Sequence, residues 1–200
     1  MDDTTGRDSG SGMYENNFLS YSSLTARHFK AENYCLAKAG IGITISWFPM
    51  IMSQMFDKLN PSDSTSLWNF SSYTPEIVVI NVFQNDSWLI EKPNHPQFIA
   101  KFGTVKPSKE FIIRAYAEFV EKIRRKYNQA HIICALGNMD AARVDSPWPG
   151  YVEEAVKRLN DSKMHVLIFP FKNTPGHPKA GEQKEMADQL IAFIEKEMGW

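Results

Sequence analysis

The sequence predicts an α/β fold: a three-layer α/β/α sandwich around a parallel sheet, with the first strand expected to be absent. Three observations predict it. Short apolar runs alternate with longer amphipathic ones along the chain. One run, Ile77-Val78-Val79-Ile80-Asn81-Val82, is nearly all β-branched, as suits a strand buried on both faces of a parallel sheet. The length of 200 residues fits one such domain and is short for two.

In chain order, residues 1–15 are polar and are expected to be disordered or to form part of a nucleophile loop, leaving 16–200 as the domain. Asn16 to Lys30 places Leu19, Leu24, Ala26 and Phe29 at helical spacing. Tyr34 to Ala39 reads as a short strand, ended by Gly40-Ile41-Gly42. Trp47 to Leu59 reads as a Met-rich helix with Pro49 in its first turn. Asn60 to Thr74 is rich in Ser, Pro and Asn, hence loop, and the strand at Ile77 to Val82 comes after it. Ser87 to Lys106 reads as a long loop with two prolines. Ser108 to Tyr127 spaces Phe111, Ile112, Ala115, Phe119 and Ile123 for a helix, with Arg124, Arg125 and Lys126 at the dipole's negative end. Strands at His131 to Gly137 and Met164 to Phe169 then alternate with helices at Gly150 to Leu159 and Lys179 to Met198.

The helix at Asn16 lacks the strand that would usually precede it and run through the middle of the sheet. Either the domain does without it or the chain starts downstream of it. The second is the expectation, because a central gap leaves strand edges unpaired, and unpaired buried backbone groups cost about 1–3 kcal/mol each.

Composition bounds the function. A content of 43% hydrophobic and 12% aromatic residues is that of a globular chain. The net charge of -1 gives no reason to expect a nucleic-acid or anionic-membrane partner, and no run of about 18 apolar residues is present. No signal peptide is recognisable at the N-terminus, and the compartment is left open. Cys35 and Cys134 fall in apolar runs and read as two buried free thiols, with neither a disulfide framework nor a metal site expected. No cofactor is expected. A nucleotide-binding reading fails for want of a glycine-rich loop after a strand.

In open parallel sheets, ligands bind beyond the carboxyl ends of the strands. The segments there hold Gly42, Asn85, Asp86, Asn138, Asp140 and His177. A histidine, a carboxamide and glycine-freed amides suit acyl transfer: a general base with donors for an oxyanion. Bland readings compete at each position. His28, His95, His131 and His165 read as structural or surface residues, and Asn85-Asp86 also suits an Asx turn at a strand end. Trp88, Trp148 and Tyr151 would serve either as apolar platforms for a sugar ring or as packing.

Read together, the segments resemble the SGNH (GDSL-type) hydrolase superfamily, flavodoxin-like in fold, and more narrowly the esterase domain of carbohydrate esterase family 2. Ser20 to Arg27 resembles that family's first helix, and Ala39-Gly40-Ile41-Gly42 its second block. Ile80 to Asp86 resembles the third block, and Gly176-His177-Pro178 with Glu182 and Met186-Ala187-Asp188 the last. The resemblance implies deacetylation of sugars by a Ser-His dyad, with His177 as base and with Gly42 and Asn85 lining the oxyanion hole. An acetylated carbohydrate or other small ester would be the substrate, and relatives are usually secreted or periplasmic.

Three departures stand out. Phe83 replaces the usual glycine of the third block, where a side chain would narrow the site. Thr174 and Pro175 stand where the acid that orients the histidine usually lies. The nucleophile has two registers: matching Gly6 to the family glycine puts Asp2 at the serine position, whereas matching Arg7-Asp8-Ser9 to Gly-Asp-Ser offers Ser9. No apolar strand precedes Ser9 to aim its hydroxyl. A catalytically inactive or truncated SGNH-like domain, serving as a binding module, is therefore the alternative to an esterase.

Overall fold

The computed structural model describes residues 15–200. Ser9, and the rest of 1–14, lie outside the described residues. After a 3-10 turn at Asn17–Leu19, the elements are α1 (Tyr21–His28), α2 (Met52–Met55), β1 (Ile77–Asn81), α3 (Gln84–Leu89), α4 (Pro96–Phe102), α5 (Lys109–Lys126), β2 (His131–Leu136), α6 (Trp148–Leu159), β3 (Met164–Ile168) and α7 (Ala180–Met198). The three strands are parallel and ordered β1-β2-β3, with Ile80 opposite Cys134 and Cys134 opposite Val166.

Strand alternation splits the sheet's side chains between two helical layers. Ile80, Ile132, Cys134 and Leu136 pack in the core cluster formed with α5 and α6. Ile133, Ala135 and the nearby Phe169 pack under α7, with Tyr21 of α1 against them. The three-layer sandwich is therefore as expected. Ser108 caps α5 by accepting the Phe111 N–H, and three basic residues occupy its last turn.

Tyr34 to Ala39 is not a strand. Tyr34 is 59% and Leu36 44% exposed, and Cys35 is an exposed thiol while Cys134 is buried. A strand forms only where an edge accepts it, and among the described residues none pairs with this run. The expected helix from Trp47 to Leu59 shrinks to the single turn of α2. Upstream of it, the Trp47 and Met52 N–H groups donate to the Gly40 and Gly42 carbonyls, drawing the chain into a loop. The expected long loop at Ser87 to Lys106 instead contains the end of α3 and all of α4. His95 caps α4 through Nδ1, and Pro96 opens it where a missing N–H costs nothing.

Candidate active site

The site is built from the segments at the carboxyl ends of the strands and from the loop around Gly42. After β1 the chain turns through Phe83, whose φ of 85° is left-handed. Glycine adopts such a φ freely, whereas a residue with a side chain pays about 1–2 kcal/mol. Phe83 is 0% exposed, its ring 4.7 Å from that of Tyr116 and 4.9 Å from that of Trp148. The side chain thus enters the core and does not narrow the site as expected. Burial of a large aromatic ring offsets the strain of the turn.

The turn launches α3, which presents Asn85, Asp86 and Trp88. Asp86 is fully buried. It accepts the N–H groups of Ile43 at 3.0 Å, Thr44 at 2.6 Å and Ile45 at 3.2 Å, and the Thr44 hydroxyl at 2.6 Å. Burial pushes this carboxyl up, and the four donors pull it back. The result is a clamp that fixes the loop carrying Gly42. A Cβ at Gly42 would lie 2.0 Å from the Ile45 carbonyl oxygen and 2.5 Å from Asp86 Oδ2, so only glycine lets the loop approach this closely.

Asn85 is held at both ends of its amide. Its Nδ2 donates to the Ile41 carbonyl at 2.8 Å, and its Oδ1 accepts the Trp47 indole N–H at 3.0 Å. The Gly42 N–H donates to Ser46 Oγ at 2.9 Å. Asn85 and Gly42 therefore sit at one junction of loop and helix, each with a partner inside the protein.

His177 is exposed, in the loop between β3 and α7. With Trp88, Asp140, Arg143 and Phe171 it lines a cleft of about 390 Å³. Trp88 Nε1 donates to Asp140 Oδ2 at 2.9 Å, Arg143 pairs with Asp140 at 2.8 Å, and the Arg143 guanidinium lies 5.0 Å from the centre of the Phe171 ring. An aromatic wall flanked by an ion pair can meet both the apolar face and the hydroxyls of a polar ring.

The structure brings His177 and Trp88 to this cleft, with Asn85 on the same short helix as Trp88. Trp148 opens α6 facing inward, is 7% exposed and meets Tyr151 at 5.4 Å; neither residue lines the cleft. Asn138 is buried at the end of β2, and its backbone carbonyl accepts the Lys172 N–H at 2.8 Å. Among the described residues, no group of three His, Cys, Asp or Glu side chains converges on a metal site, and no helix is long and apolar enough to cross a membrane.

Sequence reasoning missed Trp47, Arg143 and Phe171. Trp47 meets Asn85, and Phe171 meets Arg143, only across a long stretch of chain, and the short-range Arg143–Asp140 pair carries no mark of a site. Lys172 was also missed. Its ammonium lies under the His177 loop, donating to the Thr174 carbonyl at 2.8 Å and the Thr174 hydroxyl at 2.7 Å. Glu182 carried one local signal, its place three residues into the last helix, which is where a capping carboxylate belongs.

A three-layer sandwich with a parallel sheet, a glycine loop clamped by a buried aspartate, and a histidine after the last strand are the features of an SGNH-type fold. No family model matches the chain. The chain is similar to family-two carbohydrate esterases. It is 31% identical over 199 residues to the cellulase/esterase CelE of Acetivibrio thermocellus, an alignment covering 93% of this chain and 22% of that protein. A family-two carbohydrate esterase from Clostridium thermocellum, solved in complex with cellohexaose, superposes with a TM-score of 0.79 at 30% identity, over 98% of this chain and 59% of its own. A family-two esterase from Cellvibrio japonicus shares the fold, with a TM-score of 0.79 at 20% identity over 98% of this chain and 57% of its own. The chain thus spans about a fifth of the curated relative and under three fifths of these solved chains.

Proposed function

We propose that this domain is a carbohydrate O-acetyl esterase. The observation that carries the reading is the cleft after β3, where exposed His177 stands beside Trp88 and the Asp140–Arg143 pair. In the proposed reaction a serine hydroxyl attacks the acetyl carbonyl while His177 takes its proton. The tetrahedral oxyanion is met by the second N–H of the Asn85 amide and by the Gly42 N–H, which leaves Ser46 Oγ to do so. His177 then returns the proton to the departing sugar hydroxyl, and water repeats the sequence on the acyl-enzyme. Ser9 is the candidate nucleophile. Trp88 would stack on a sugar ring, with Asp140 and Arg143 meeting its hydroxyls. Trp148 and Tyr151 would support the Phe83 layer below.

One observation favours a second reading, a carbohydrate-binding domain without catalysis: both candidate oxyanion donors already have partners within the protein. A fluorophosphonate probe separates the two. Labelling of the wild type that is lost in Ser9→Ala supports the esterase with this nucleophile. No labelling, with retained binding of acetylated xylo- or cello-oligosaccharides, supports the binding domain.

A further inference from the structure

We propose that Glu182, partnered by Lys172, is a positioning residue that holds His177 through the two ends of its loop. The inference rests on His177 being the base of the proposed reaction. No acid stands two or three residues before His177, where Thr174 and Pro175 lie. A carboxylate, Glu182, stands five residues after it. Glu182, in the first turn of α7, accepts the Lys179 N–H on Oε2 at 2.8 Å, and its Oε1 accepts the Thr174 hydroxyl. One carboxylate thus grips the chain on both sides of His177.

Lys172 completes the arrangement. Its side chain is only 3% exposed, and its Nζ stands 3.6 Å from Glu182 Oε2. The ammonium donates to the Thr174 carbonyl and hydroxyl, so Thr174 Oγ1 accepts from the lysine and donates to the glutamate. A buried ammonium with no anion beside it would be costly, and Glu182 is the carboxylate that removes that cost. Burial pushes the Glu182 carboxyl up. The Thr174 and Lys179 hydrogen bonds and the Lys172 charge outweigh burial and hold it below its usual range. The loop is exposed and Asn173 holds a left-handed φ of 50°, a conformation that persists only when its surroundings fix it, as this tether does.

A purely structural role would cap α7 without bearing on the histidine. The test uses the full chain with 15N-labelled histidine, the His177 ring signals being assigned by their loss in His177→Ala. In Glu182→Gln and in Lys172→Met we expect the His177 signals to broaden or double. In parallel, kcat for an acetyl ester should fall about tenfold to a hundredfold with KM little changed, the cost of misplacing a catalytic group. Glu185→Gln, on the exposed side of the same helix, should change neither. Thr174→Val cuts a single link in the cluster and carries the same test should the charge variants fail to fold. An unchanged His177 signal in a folded Glu182→Gln overturns the proposal. If the wild type hydrolyses no ester, the reading of His177 as a base fails, and the ring signals still decide whether Glu182 positions it.

Discussion

Thr44 meets Asp86 twice, with its backbone N–H and its hydroxyl each 2.6 Å from the same carboxylate oxygen. This junction fixes where Gly42 stands relative to Asn85. Asp86 is thus an anchor for the site, with no free oxygen to offer a substrate.

Asp86→Ala should therefore be severely destabilising. It leaves three loop N–H groups and a hydroxyl without their acceptor, at about 1–3 kcal/mol for each one that stays buried. Denaturant unfolding should show a loss of at least about 2 kcal/mol, since at least two of the four are expected to remain unsatisfied. A loss under about 1 kcal/mol would show that the loop is held by something else.

Position 83 should invert the usual order of alanine and glycine. Both substitutions empty a fully buried aromatic site, a loss of about 3–5 kcal/mol. Glycine removes the strain of the left-handed φ and alanine keeps it, so Phe83→Gly should be about 1 kcal/mol more stable than Phe83→Ala. Comparing the two midpoints in urea decides it; an alanine variant as stable as the glycine one would mean that the turn carries no strain.

The histidines at the opposite end of the sheet make stability depend on pH. His131 Nδ1 and His165 Nε2 lie 3.0 Å apart, one donating to the other. Burial and the neighbouring His131 lower the His165 pKa, while Glu197 and Asp161 act in the opposite direction. A base with a depressed pKa takes up a proton more readily when unfolded. Stability is then fully present above the unfolded pKa of about 6.5 and is lost as pH falls below it. Melting temperature should drop between pH 7 and pH 5, and the drop should shrink in His165→Gln. An equal drop in both proteins would assign it to other groups.

Trp88 should act on binding more than on chemistry. Trp88→Ala removes the aromatic wall and the donor to Asp140, so KM for an acetylated oligosaccharide should rise with kcat nearly unchanged, the pattern of lost uniform binding. Asn85→Ala should do the reverse and lower kcat by about 10²–10³, the usual effect of losing an oxyanion donor. Identical effects of the two variants on kcat and KM would contradict this division of labour.

The sheet was largely legible in the sequence, for a physical reason. His131–Leu136 is buried on both faces and Ile77–Asn81 is at least half-buried throughout, and a strand in that setting tolerates few polar residues. Tyr34 to Ala39 has a similar look and forms no strand, because composition shows what could pair and not whether an edge is there to receive it. The helices α3 and α4 were hidden because at six and seven residues they are too short to show a helical repeat, although Leu89 and Phe98 anchor them in the core. At the site, His177 and Asn85 stood out by type and place. The supports around them did not: Trp47 meets Asn85 across 38 positions, and Asp86 reaches Thr44 across 42. Only three-dimensional closure joins such residues. The Phe83 departure was visible, but its direction was not, since a left-handed turn sends the side chain into the core.

His177 is proposed as the general base of an ester hydrolase. The most direct measurement compares wild type and His177→Ala for release of p-nitrophenol from its acetate at neutral pH, with circular dichroism confirming that both are folded. Clear turnover by the wild type is expected, with a loss of at least about a hundredfold in kcat/KM for the variant, as when a general base is removed. Equal rates for the two proteins would contradict it.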